Sequence, residues 1–170
     1  MAAAVMVVSA ASATAVIAFD SWLRTGLIAT APSRSPAAPK VPSKAEQRAT
    51  FLTRSALLAL QHANVTGNYA VLWNLAAPDF QTANTQERLA QIFAESRRRR
   101  LDLSVAALTD PVWTAPIEAT ADGVLRLAGY FPVVGGKLRF ELGYAPLDGQ
   151  WRFNGLAVAF APDEVADARR

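Results

Sequence analysis

The hydrophobic period of this chain changes at Leu101, and that change restricts the fold more than any other feature. Ahead of it, apolar residues recur at helical spacing; beyond it, they alternate. A period near 3.6 buries one stripe of a helix and a period of two buries one face of a strand, so a group of helices followed by a group of strands is expected, the α+β order.

Residues 44–64 contain neither Gly nor Pro, and Phe51, Leu52, Ser55, Ala56, Leu58, Ala59, His62 and Ala63 fall on one side of a helical wheel. They predict a long amphipathic first helix, ended by the VTG step at 65–67. Thr66 is expected to cap a short second helix, with Tyr69, Leu72, Trp73 and Ala76 at i, i+3, i+4 and i+7, closed by Ala77-Pro78. A third begins at Asn84, has Glu87 at capping-box spacing, and sets Leu89, Ile92, Phe93 and Ser96 on one face. Past the switch, Leu101, Leu103 and Val105, then Leu125 and Leu127, then Leu138, Phe140, Leu142 and Tyr144 each alternate with polar or small residues, predicting half-buried antiparallel strands. Gly135-Gly136 and Asp148-Gly149 read as tight turns between them. In the last strand Trp151 and Phe153 share one parity while Leu156, Val158 and Phe160 share the other, so one bulge beside Gly155 would return both sets to the core.

A length of 170 residues, 52% hydrophobic and 18% charged, fits one globular domain with a modest extension and excludes an intrinsically disordered chain. Without cysteine there can be no disulfide, thiolate metal site, cysteine nucleophile or lipobox anchor, and with His62 the only histidine, neither a metal site nor a cofactor is expected. Of 17 Lys and Arg, four lie in residues 1–44, and of 14 Asp and Glu, only Asp20 does. The remainder is therefore 13 basic against 13 acidic residues, and the net charge of +3 belongs to the tail. A neutral domain lacks the footprint phosphate backbones require, so no nucleic-acid partner is expected.

Residues 1–19 carry no charged side chain and would reach about 28 Å as a helix at ~1.5 Å per residue, enough to span a bilayer. Ala29-Thr30-Ala31 has the small-x-small form of a signal peptidase site, although no Lys or Arg precedes the apolar run and Pro32 follows the site. Residues 1–31 are read as a signal peptide or membrane anchor, placing the domain in the periplasm or tethered facing it. The alternatives are a tethered domain on the cytoplasmic face, which the positive residues after the run would favour, and a mere tail. Four prolines in residues 32–44 predict a disordered linker, residues 45–161 the domain, and 162–170 a flexible tail.

The order of a long helix, a short aromatic helix ending in LAAPDF (residues 75–80), a third helix, and a meander finishing in DGQWRFNGLAV (148–158) resembles the cone-shaped nuclear-transport-factor-2-like superfamily. Within it, QHANVTGNYAVLWNL (61–75) is similar to a group of small exported alphaproteobacterial domains of unknown function. The resemblance implies three N-terminal helices on a strongly curved antiparallel sheet, with a conical pocket. In its isomerase and dehydratase branches the chemistry uses an acidic residue, or an Asp and His pair, pointing into the cone. Here the strand carboxylates Asp102 and Glu141 have the parity of the outer face.

His62 is the sharpest single candidate, as a buried acid or base; the plainer reading is a core histidine bonded to a backbone carbonyl. Arg97, Arg98, Arg99 and Arg100 offer an anion or partner surface, or else a solvated helix end whose charges complement the dipole. Tyr69, Trp73, Trp113, Tyr130, Phe140 and Tyr144 read first as core and second as the wall of an apolar ligand pocket. The expected function is a non-catalytic domain, exported or held at a membrane by its N-terminal segment. It would bind an apolar small molecule or a protein partner, including a second copy through the sheet. The alternative is a small isomerase, dehydratase or cyclase using His62 or a tyrosine inside the cone.

Overall fold

A computed structural model of the chain describes residues 6–9, 42–121 and 123–163. The first helix, α1 (Lys44–Thr66), opens with a capping box: the Ser43 hydroxyl accepts from the Glu46 N–H at 3.1 Å, and the Glu46 carboxylate accepts from the Ser43 N–H at 2.6 Å. Gly67, at φ 74°, ends it by donating its N–H to the Ala63 carbonyl, a left-handed cap glycine adopts without penalty. The helix lies where its spacing placed it, but its buried stripe is rotated. Leu52, Thr53, Ala56, Leu57, Leu60 and Ala63 are buried, whereas Phe51 is 68% exposed and His62 is exposed. Between residues 56 and 60 every position is Ala or Leu, so the wheel has little contrast and the neighbouring elements select the face.

Short helices follow: α2 (Ala70–Asn74), α3 (Pro78–Ala83), α4 (Gln86–Ile92) and α5 (Ala94–Arg98). Three departures from expectation have local causes. Thr66 does not cap α2; its hydroxyl donates back to the His62 carbonyl and accepts from the Asn68 N–H, and it is the Asn68 side chain that accepts from the Ala70 N–H. Pro78, expected to close a helix, starts α3 at a first-turn position where its missing N–H costs nothing. The cap of α4 is Thr85, whose hydroxyl accepts from the Arg88 N–H; Asn84 is buried instead and donates to the Phe80 carbonyl.

The alternation at Leu101, Leu103 and Val105 does not form a strand. An Asp102 carboxylate oxygen accepts from the Ser104 N–H at 2.9 Å, and the Gln61 side-chain oxygen takes the Leu103 N–H at 3.0 Å. Those two bonds consume donors that a ladder would need, and the chain turns into α6 (Val105–Leu108). Arg54 holds α6 to α1 by donating to the carbonyls of Ala106 and Thr109.

The sheet is antiparallel, in the order β1-β5-β4-β3-β2. Its strands are β1 (Met6–Ser9), β2 (Val112–Trp113), β3 (Leu125–Val133), β4 (Gly136–Leu147) and β5 (Gln150–Pro162). The β4–β5 turn is Asp148-Gly149, both at positive φ, as its sequence predicts. Gly143 pairs with Gly155 and Tyr144 with Phe153, leaving Asn154 as the extra residue of a bulge. The parity change is thereby absorbed, and Phe153, Leu156 and Val158 are all buried. Helices pack on the face carrying Leu127, Phe131, Leu138, Phe140 and Leu142, with Phe80 edge-on to Phe153 at 5.0 Å between centroids.

Met6–Ser9, paired with β5, falls within the segment read as signal or anchor; residues 1–5 and 10–31 lie outside the described residues, as do most of the linker and tail. Among the described residues, no helix is long and apolar enough to cross a membrane.

Candidate functional site

A pocket of about 380 Å³ opens where the end of α5 and the start of α6 meet the sheet. Its floor is apolar: Val133 ends β3, Leu138 of β4 pairs directly with Phe160 of β5, and Val158 lies two residues before Phe160 on the same face. Val105 of α6 and Leu101 add to it, and the rim carries Glu95, Arg99, Arg100 and Asp102.

The chain reaches this geometry through the end of α5. The Leu101 N–H donates to the Ser96 carbonyl, a wrap that forces Arg100 to φ 50°, where glycine is the cheaper residue. Leu101 is thereby sent inward. Glu95 accepts from Arg99 at 2.6 Å and also pairs with Arg98. The Arg99 hydrogen bond holds the Glu95 carboxyl below the usual carboxylate range against an opposing desolvation, with the charges of Arg98 and Arg99 adding to it. Asp102 is likewise held low, by its hydrogen bonds from Ser104. Glu95 is thus ion-paired and Asp102 is held by neutral donors, whereas the Arg100 side chain has neither an ion pair nor a hydrogen bond among the described residues.

The four arginines do not form one surface. Arg97 turns inward, donates to the Tyr69 hydroxyl and lies 5.7 Å from that ring's centroid. Arg98 and Arg99 are tied to Glu95, and only Arg99 and Arg100 line the pocket.

None of the six aromatic residues expected at a ligand wall lines it. Tyr69 is buried and stacked on Phe93, and its hydroxyl donates to Asn64 at 2.7 Å. Trp73 is half-buried, its indole N–H donating to the Asn84 carbonyl at 2.8 Å, so it packs on the α3–α4 connection. Phe140 and Tyr144 are buried in the core, with Trp113 edge-on to Phe140 at 5.8 Å. Tyr130 has the opposite parity on β3 and lies under the Lys137 ammonium, 5.0 Å away. For five of the six the core reading therefore describes their surroundings better than the pocket reading. His62, expected on the buried stripe, is exposed and lines no part of the pocket.

The residues that do build the pocket come from residues 95–105, which run from α5 into α6, and from β3, β4 and β5. Leu138, Val158 and Phe160 were legible only as strand residues, and no local signal joins them to Arg100. Chemically, the site offers an apolar cavity lined also by two arginines and two carboxylates. Among the described residues, no group of three His, Asp or Glu could hold a metal ion. No protein-family model, no curated protein and no solved structure matches this chain.

Proposed function

We propose that this chain is a non-catalytic binding domain that takes an apolar small molecule into the pocket between α5, α6 and the sheet. Its fold is read as the cone-shaped nuclear-transport-factor-2-like type, exported or tethered through the uncharged run at residues 1–19. The observation that carries the binding reading is the pocket, about 380 Å³ with a floor of Val105, Val133, Leu138, Val158 and Phe160. That volume falls within the ~300–1,000 Å³ of ordinary small-molecule sites, which are mostly apolar with a few polar groups. Against the enzyme reading stand the exposed position of His62 and the engaged hydroxyls of Tyr69 and Tyr144, each buried and bonded to a protein acceptor. A general base must reach its substrate's proton; the two hydroxyls are closed off in the core, and His62 lines no part of the pocket.

The test uses the neutral fluorescent probe N-phenylnaphthylamine with the full chain and a Val105→Trp variant. Val105 is half-buried at the pocket wall, so an indole there fills the cavity from a site that tolerates bulk. Saturable, one-to-one binding that Val105→Trp abolishes at an unchanged melting temperature is expected. No saturable binding, or binding indifferent to the substitution, would overturn the assignment of the pocket.

A further inference from the structure

We infer that the pocket selects amphiphiles with an anionic head, specifically a single-chain carboxylate whose head meets Arg100 and whose chain lies over Leu138, Val158 and Phe160. This rests on the reading of the pocket as a ligand site. The head group follows from which rim charges already have partners. Glu95 is held by Arg98 and Arg99, and Asp102 accepts from the Ser104 N–H and, at 3.4 Å, from Gln61. Glu95 is thus taken by two cations, and one oxygen of Asp102 is taken by two neutral donors. Arg100 lines the pocket and has no ion pair among the described residues, and the planar fork of its guanidinium matches a carboxylate's two oxygens. A cationic head would meet Arg99 and Arg100 together against the half-engaged Asp102, and a neutral head would gain no ion pair.

The backbone at Arg100 is that of a helix end. At φ 50° a glycine would be cheaper, yet the position carries the longest cationic side chain available. The tail follows from size: about 380 Å³ is near the lower end for ligand cavities, enough for one short chain and too little for a two-chain lipid.

Calorimetric titration of the full chain with hexanoate, octanoate, decanoate, decanol and decyltrimethylammonium tests the inference. Within the length the pocket holds, each added methylene should tighten carboxylate binding roughly fourfold, the equivalent of ~0.8 kcal/mol. Decanoate should bind more tightly than either other decyl compound. Arg100→Gly should weaken decanoate roughly three- to tenfold, as expected for a partly exposed charge pair, while leaving decanol unchanged. Because the position favours glycine, this variant should be at least as stable as the parent, which separates lost binding from lost fold. Arg48→Gln, an equal change of charge on exposed α1, should leave decanoate binding alone. If decanol or decyltrimethylammonium binds as tightly as decanoate, or Arg100→Gly changes nothing, the head-group inference fails and the pocket assignment stands. If no amphiphile binds, both fail.

Discussion

The Tyr144 hydroxyl on β4 donates a 2.7 Å hydrogen bond to the backbone carbonyl of Leu52 on α1, joining residues 92 apart in sequence. The bond is buried, and it fixes the height of α1 over the sheet at a point where Leu52 and Tyr144 both belong to the core. Burial holds the Tyr144 hydroxyl far above its ordinary titration range.

Tyr144→Phe keeps the ring and deletes the bond, so it should cost about 1 kcal/mol in urea denaturation with an unchanged m-value. The pH dependence has a definite sign. A tyrosine whose folded pKa is raised contributes its stability in full below the unfolded value near ~10, and loses it as pH climbs from there towards the folded value. The parent should therefore lose stability progressively above about pH 10, and Tyr144→Phe should lose less. Parallel alkaline curves for the two proteins would show that Tyr144 does not stay protonated in the folded state.

A second buried hydroxyl ties the helices to one another. Tyr69 accepts from Arg97 and donates to Asn64, linking α5, the α1–α2 connection and α1 in one chain of bonds. Tyr69→Phe should cost about 1–3 kcal/mol, because it leaves the half-buried Arg97 and Asn64 side chains without their shared partner. Arg98→Gln, on the exposed neighbour paired only with Glu95, should stay within about 0.5 kcal/mol of the parent. Equal effects from the two substitutions would mean that the Tyr69 network contributes no more than a surface ion pair.

The parts of this fold that are legible in the sequence are those decided by nearest neighbours. Asp148-Gly149 specifies its turn by backbone preference, and the parity change across Gly155 reports the Asn154 bulge because strand period admits no other repair. The extent of α1 is set by an unbroken run between Ser43 and Gly67. What fails is whatever depends on distant partners. Leu101 to Val105 alternates like a strand, but Gln61, on another helix, claims the Leu103 N–H. His62 and Phe51 sit on a plausible wheel face, yet the face that packs is the one with Leu57 and Leu60, which the wheel could not rank above it. The pocket is less legible still, since Arg100 and Leu138 meet only through the tertiary fold.

Thr53 gives the prediction that runs opposite in sign. It lies on the buried stripe of α1 at 0% exposure, and its hydroxyl oxygen has no hydrogen-bond partner among the described residues. A buried hydroxyl without a partner forfeits its hydration and gains nothing in return, a penalty of about 1–3 kcal/mol, whereas an apolar group of the same shape incurs none. Val matches Thr in shape and in β-branching, and the two have similar helix propensity, so neither packing nor backbone preference opposes the exchange. Thr53→Val should therefore stabilise the domain by about 1 kcal/mol, read as a higher denaturation midpoint at constant slope. Thr53→Ala removes the same hydroxyl together with the methyl group, and the cavity it leaves should cancel the gain or reverse it. A Val substitution that destabilises as much as Ala would mean that the hydroxyl bonds within its own helix, to a carbonyl one turn back.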